Sequence, residues 1–315
     1  DDEWIVINDL IKGEVKVNTN ELGDWIIRRP NGSPTYNFSV VIDDASMNIT
    51  HVIRGDDHLS NTPAQIQLYN ALGYALPQFG HLPMILGADK TRLSKRHGAT
   101  SVMAYRDMGY LPQAILNYLL KLGWGHGDQE IFSMQEMIDL FSLEKCSPSS
   151  SIFNPQKLDW MNGHYIRESS AEALQPLVLE FLEKAGLQHI DKNILTKAIE
   201  SSKEKVKTLK ELADRITVYF DDAVVEPAVV QKNINDQTKP ILKRVCEELE
   251  KCSDTSPGVV HKIFESLMTE LGVGLGQVAN PTRVAIAGRT ASPGAMDLIG
   301  ILGKKECVRR IKRYF

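Results

Sequence analysis

Cysteine is scarce in this chain. The four among 315 residues, Cys146, Cys246, Cys252 and Cys307, form no C-x-x-C pair and have no histidine cluster beside them. A disulfide framework and a tetrahedral zinc site of ordinary spacing are thereby excluded; Cys246 and Cys252, six residues apart on a helical pattern, fall on different faces. The thiols read as reduced, and no protein-bound zinc or other metal is expected. Long apolar runs are lacking too: none approaches the roughly 20 residues that a bilayer-spanning helix needs. The chain therefore reads as cytoplasmic, without a membrane partner, and as a monomer. There is no excess of one charge, since 36 Lys and Arg face 40 Asp and Glu for a net charge of −4. Any nucleic-acid contact must come from local basic patches. Asp1-Asp2-Glu3-Trp4 has neither a basic leader nor an initiator Met, which reads as a chain that begins internally, by truncation or disorder.

What is present is ordinary globular material, 43% hydrophobic and 24% charged, enough for two or three domains with real cores. Trp4-Ile5-Val6-Ile7 and Val15-Lys16-Val17 alternate like strands, and Asn31-Gly32 between Trp25-Ile26-Ile27 and Tyr36-Asn37-Phe38 predicts a hairpin. Tyr36 to Ile42 alternates again and predicts a strand with one mostly apolar face. A second strand over Thr50 to Ile53 delivers Arg54-Gly55-Asp56-Asp57 at its carboxyl end, where doubly wound sheets bind ligands. A helix follows from about His58 to Leu72, with Ala64, Leu68, Ala71 and Leu72 inward and Gly73 as its stop. His81 to Leu86 reads as a buried strand, Gly87 to Thr91 as a polar turn, and about Val102 to Met108 as a helix.

Past Gly109 the period becomes 3.6. Pro112 opens a helix with Ile115, Leu116, Leu119 and Leu120 inward, Ser133 to Glu136 is a capping box, and Asn154-Pro155 starts a short helix to Met161. Trp124, Trp160 and Tyr165 are expected in the core rather than stacked on bases. Further amphipathic helices are expected at about 171–185, 191–201, 204–220, 238–251, 257–271, 293–302 and 304–314, with no strand signals. The basic run Lys304, Lys305, Arg309, Arg310, Lys312 and Arg313 reads first as a solvated helix end favoured by the dipole.

Everything so far surrounds one stretch, Arg92-Leu93-Ser94-Lys95-Arg96-His97-Gly98-Ala99, with cations around a small hydroxyl residue and a glycine. In isolation it would be a wet basic turn; as a mobile loop it would suit a polyphosphate on which charge develops. The stretch resembles the KMSKS loop of class I aminoacyl-tRNA synthetases, in its glutamyl form, with Arg92 in place of the usual first Lys. The resemblance to bacterial glutamyl-tRNA synthetases continues through Pro34-Thr35-Tyr36-Asn37-Phe38, Val41-Ile42-Asp43-Asp44, Thr50 to His58, Asn61-Thr62-Pro63, Gly109 to Pro112, Asn117-Tyr118-Leu119, Leu122-Gly123-Trp124 and Trp160 to Arg167. It covers essentially the whole chain. The His-Ile-Gly-His signature of class I synthetases is not found; Gly80-His81 and Gly125-His126 lack its paired spacing.

The resemblance implies an α/β partial class I nucleotide-binding (Rossmann-type) domain followed by an all-α stem-contact and anticodon-binding region. It divides the chain into the tail of a connective-peptide insertion (1–35), the second half of the catalytic domain (36–88), the KMSKS loop with the stem-contact domain (89–169), and two helical anticodon-binding subdomains (170–255 and 256–315). It implies a glutamate–tRNA ligase with ATP and its Mg²⁺, glutamate and tRNA-Glu as partners, and a C-terminal fragment inactive alone. By the same resemblance Lys95, with Arg92, Ser94 and Arg96, stabilises the phosphates; Arg54 and Tyr36 hold the glutamate side chain; Asp57, His58, Met84 and Ile85 meet ATP; and Arg167, Arg283 and Arg289 meet tRNA. The presence of Arg54, Asp57 and Ser94-Lys95-Arg96 speaks against a catalytically silent tRNA-binding protein, and the motif series against an unrelated helical scaffold.

Overall fold

A computed structural model describes residues 3–94, 101–221 and 225–315. The chain divides into two compact units, one formed by residues 1–104 and 112–158, the other by 105–111 and 159–315.

The first unit is built on a four-stranded sheet in the order β2-β1-β4-β3. The alternating N-terminal segments form β1 (Trp4–Asp9) and β2 (Gly13–Asn18), an antiparallel pair in which Ile7 faces Val15. β3 (His51–Gly55) and β4 (Gln78–Leu82) run parallel in the register Arg54 to His81, and β1 joins β4 in parallel through Asp9 and Phe79. Ile7, Ile66 and Phe79 close the core on one side, where buried apolar surface contributes about 25 cal/mol per Å².

The expected strand from Tyr36 to Ile42 is a helix, α1 (Tyr36–Ser46), whose N-cap Thr35 is extended and accepts the Ser39 amide at 3.0 Å. Its apolar residues lie around the helix with only Val41 buried, so a short β-branched window mimicked a period of two. The Asn31-Gly32 turn does form, through an isolated antiparallel bridge between Arg28 and Pro34, but no strand continues from it. In α2 (Thr62–Leu72) the buried face is Pro63, Gln65, Ile66 and Tyr69 rather than the aliphatic set ending at Leu72, which is exposed. Gly73, at φ 73°, is its left-handed stop, as expected. The strand expected to reach Leu86 ends at Leu82.

α3 (Val102–Asp107) is followed by α4 (Pro112–Lys121), which buries Ala114, Ile115, Asn117 and Tyr118 and leaves Leu116 and Leu119 exposed. The polar pair goes inward because backbone groups await it. Asn117 donates to the Glu130 carbonyl at 3.0 Å and accepts the Phe132 amide at 2.9 Å; Tyr118 donates to the Asn154 carbonyl and accepts its amide at 2.6 Å. α5 (Met134–Leu140) carries the expected capping box between Ser133 and Glu136. Trp124 joins Ile11, Phe132, Met137 and Cys146 in a second core.

The remaining elements are helices: α6 (Pro155–Glu168), longer than expected, α7 (Ala171–Lys184), α8 (Lys192–Ser202), α9 (Leu209–Ile216), α10 (Pro227–Asn233), α11 (Lys239–Lys251), α12 (Pro257–Leu271), α13 (Leu275–Ala287) and α14 (Ala295–Ile311). Leu174, Val178, Leu182, Leu195, Ile199, Leu212 and Ile216 bury the inner faces of α7 to α9. The helix expected over 204–220 is broken, with 3-10 turns on both sides of α9. Sequence reading missed α10 and α13, the latter because Pro281 stands inside it and Gly274 before it. Trp160 is exposed rather than core, and Tyr165 is half-buried.

Within the second unit Asn162 acts as a clasp. Fully buried, it accepts the Leu111 amide at 2.8 Å and donates to the Lys207 carbonyl at 2.5 Å, while Gly163 leaves room for the Val206 carbonyl. Among the described residues no helix is long and apolar enough to cross a membrane.

Candidate active site

The carboxyl edge of β3 and β4 gathers polar side chains from several segments. Arg54, near the end of β3, is half-buried and makes its bonds backwards, into the protein. Nε donates to His81 Nε2 at 3.1 Å; Nη2 donates to Thr62 Oγ1 at 3.0 Å, Gln65 Oε1 at 2.8 Å and the His58 carbonyl at 3.4 Å. The Tyr36 hydroxyl is a further partner, and the guanidinium carbon lies 6.0 Å from the Phe79 ring centroid. Burial draws the Arg54 pKa below its ordinary value, and Tyr36, Asp44 and Tyr69 oppose that shift. Nε and Nη2 are thus engaged with the protein, and Nη1 takes part in none of these four bonds.

Tyr36 stands at the first turn of α1, half-exposed, with its ring 5.8 Å from that of His58. Its location beside Arg54 is as expected, although it comes from a helix end rather than a strand. His58 and Asp57 lie on a 3-10 turn that follows β3. Gly55 lies close under two side chains: a Cβ there would come within 2.6 Å of Asp57 Oδ1, which would have to shift, and 3.5 Å of the Met84 sulfur. Asp57 and Met84 thus close over the same patch of backbone. Asp57 pairs with Arg92 at 3.2 Å, which brings the basic stretch to this edge. Antiparallel bonding of Leu86 with Arg92, and the Leu93 amide on the Ile85 carbonyl at 2.9 Å, fold residues 85–93 into a tight loop, with Lys90 at φ 60° in its turn. Ser94 is partly buried at the end of this loop. Lys95 and Arg96 lie outside the described residues.

The site's supporting residues escaped sequence reading. His81 had been weighed only as a fragment of a histidine signature, and it is a fully buried ring joined to Asp9 at 2.5 Å. Burial pushes the Asp9 carboxyl up, but bonds from the Lys12, Ile11 and His81 amides and the His81 ring outweigh that and hold it below its usual value. A histidine in an otherwise apolar strand was the one available signal. Nothing in the sequence pointed to Asp9, Thr62 or Gln65.

In the second unit Arg167, on α6, lies over Gly163. Arg289 is 6% exposed and held by Asp214 at 3.1 Å. Arg283, at the end of α13, is half-buried, and its Nε and that of Arg215 are buried without a hydrogen-bond partner. Burial, and then the neighbouring Arg283 charge, draw the Arg215 pKa down. The basic C-terminal run is a solvated helix end only in part: Lys305, Arg309, Lys312 and Arg313 are exposed, whereas Arg310 turns inward. Arg310 is 4% exposed and donates to the Val218 carbonyl at 2.9 Å and to Glu306 at 2.8 Å; Lys312 pairs with Glu250 and Lys304 donates to the Cys252 carbonyl.

A mixed sheet whose parallel strands hold Arg54 and the loop with Arg92 at their carboxyl edge is the arrangement of a class I synthetase, and comparison with known families agrees. Residues 1–160 match the model for the catalytic domain of class I tRNA synthetases (E and Q), and residues 170–315 match that for an anticodon-binding domain. The chain belongs to the class I tRNA synthetases of the E and Q group. It is 49% identical over 97% of its length to the glutamate–tRNA ligase of Geobacter sulfurreducens and likewise to that of Syntrophobacter fumaroxidans, and spans 66% of the length of each. The fold is similar to the crystal structure of a glutamate tRNA ligase from Elizabethkingia meningosepticum in complex with its amino acid, with a TM-score of 0.86, 31% identity, and coverage of 99% of this chain and 66% of that one.

Proposed function

We propose that this chain is the part of a glutamate–tRNA ligase that binds glutamate, contacts ATP and carries the tRNA-binding helices. The observation that supports this best is the convergence of Tyr36, Arg54, Asp57, His58 and Arg92 at one carboxyl edge of a parallel sheet. Arg54 offers its Nη1 edge, beside the Tyr36 hydroxyl, to the side-chain carboxylate of glutamate. Asp57, His58, Met84 and Ile85 border ATP, which brings its Mg²⁺ as part of the substrate. The α-carboxylate oxygen attacks the α-phosphorus in line, the bond to the bridging oxygen breaks, and pyrophosphate leaves. A terminal ribose hydroxyl of tRNA-Glu then attacks the activated carbonyl and AMP leaves. Arg92, Ser94, Lys95 and Arg96 supply the positive, hydrogen-bonding side of the phosphate clamp, because this chemistry asks for positioning and charge rather than covalent help.

The same reading assigns residues 1–35, apart from the sheet strands β1 and β2, to the acceptor-binding insertion, 36–88 with those two strands to the catalytic half-domain, 89–169 to stem contact, and 170–255 and 256–315 to anticodon binding. Arg167 and Arg283 are the tRNA contacts it favours, with Arg215 added for its unpartnered Nε. Arg289, held by Asp214, serves there by shaping the surface. Two measurements test the proposal: ATP–pyrophosphate exchange that depends on glutamate in the full-length protein carrying this chain, and preferential retention of tRNA-Glu over unrelated tRNAs by the 315-residue chain. Exchange driven equally by other amino acids, or equal retention of all tRNAs, would overturn it.

A further inference from the structure

What holds Arg54 lies behind it. His81 and Asp9 have side chains that are 0% exposed, and their contact, Nδ1 to Oδ2, measures 2.5 Å. The other carboxylate oxygen, Asp9 Oδ1, accepts three amides: Ile11 at 2.9 Å, Lys12 at 2.8 Å and His81 itself at 3.1 Å. On the far side of the ring, His81 Nε2 faces Arg54 Nε at 3.1 Å. A guanidinium N–H can only donate, so Nε2 has to be the ring's acceptor. Its proton therefore sits on Nδ1 and is given to Asp9. That tautomer satisfies Asp9 and Arg54 and lets the Thr62 hydroxyl, 3.2 Å from Nε2, donate there as well, whereas the other sets N–H against the Arg54 N–H. Thr62 and Gln65 complete the harness on Nη2, with Gln65 steadied in turn by Asn37 on α1 at 2.9 Å.

We infer that Asp9 and His81 are positioning residues for amino-acid recognition: Asp9 fixes the Nδ1-protonated imidazole, whose Nε2 turns the Arg54 guanidinium so that Nη1 faces the ligand carboxylate. The inference rests on the proposal that Arg54 receives the glutamate side chain. Its consequence is that glutamate affinity depends on which nitrogen of the buried His81 ring carries the proton.

Asp9→Asn separates this role from simple packing. The three amides still require an oxygen at the Oδ1 position, so the new amide group points its NH₂ at His81 Nδ1. The ring must then move its proton to Nε2, against Arg54. In the full-length protein, the KM for glutamate in pyrophosphate exchange should rise about ten-fold or more, the scale typical of lost supporting contacts. The KM for ATP and kcat at saturating glutamate should change by less than about three-fold. His81→Gln, which keeps an acceptor near the Nε2 position, should retain glutamate affinity better than His81→Leu. In the wild-type 315-residue chain, nitrogen-15 spectra should assign the His81 proton to Nδ1. A wild-type ring protonated on Nε2 would overturn the inference whatever the variants do. So would Asp9→Asn or His81→Leu with an unchanged KM for glutamate. Wild-type exchange that ignores glutamate would instead sink the ligase proposal, leaving the tautomer assignment standing, so the two failures can be told apart.

Discussion

The Arg54 guanidinium is bonded inward through Nε and Nη2. Replacing Arg54 with Ala leaves a bound carboxylate unpaired and also strips a donor from His81, Thr62 and Gln65. For glutamate, kcat/KM in the full-length protein should fall by about 2 to 4 kcal/mol, read from exchange kinetics. Arg54→Lys should recover little, since a single ammonium cannot serve two inward edges and one outward. In the second unit, Glu306 is held at about 2 by Arg309 and, against the effect of burial, by Arg310. A carboxylate whose folded pKa is depressed adds stability that is complete above its unfolded value of 4.5 and is lost as pH falls toward about 2. After allowance for partial exposure this is worth about 1 to 2 kcal/mol. Urea midpoints should show Glu306→Gln less stable by that amount at neutral pH, with the gap closing between pH 4.5 and 2.

The sheet and the helical continuation were legible in the sequence where period and punctuation agreed. β1 opens with four strand-forming apolar residues and β2 alternates about Lys16, α5 is announced by its capping box, and Gly73 ends α2 in the left-handed conformation. The failures have local causes. α1 hid behind seven residues rich in β-branched side chains, and α13 behind an internal proline. α4 turned its leucines outward because Asn117 and Tyr118 were needed by loop backbone that no helical pattern can reveal. Arg54, Tyr36 and Asp57 could be named from motifs alone, whereas the residues that surround Arg54 come from β1, β4 and α2, and their meeting is set by strand order rather than by spacing. The break expected between residues 302 and 304 is present as Gly303, at φ 78° and ψ 162°, inside α14. That backbone conformation is essentially reserved for glycine, and an added Cβ would meet nothing within 4 Å. Gly303→Ala should therefore cost about 1 to 3 kcal/mol through the backbone alone, measurable as a lower urea midpoint with unchanged helix content.

Taken whole, the chain carries a net charge of −4, yet the proposal requires it to grip a polyanion. Arg310, Arg309, Lys304 and Lys312 are engaged within the protein, so the terminal run contributes less than its count of cations suggests. With three to six phosphates contacted, affinity of the 315-residue chain for tRNA-Glu should fall with salt at a slope of about −3 to −5 on logarithmic axes. A slope near zero in a filter-binding titration would rule out binding through phosphates. The same polypeptide has no paired-histidine signature in its sequence, so its exchange activity should be lower than that of the full-length protein by several orders of magnitude. Comparable turnover by the two would show that the clamp lies elsewhere.

Asp9 reaches His81 across 72 residues of chain, through a strand that meets β4 at one register position. Arg54 is therefore fully harnessed only after the β1–β2 ribbon has docked. An intermediate with that ribbon loose would still possess α1, α2 and the β3–β4 pair, but its imidazole would be free to take either tautomer and its guanidinium free to swing. On the proposed role of Arg54, recognition of the ligand doubles as an inspection of assembly: a molecule that has not seated its first strand has no properly aimed arginine to offer. Amide hydrogens of β1 should accordingly exchange more slowly when the site is occupied, although they touch no ligand.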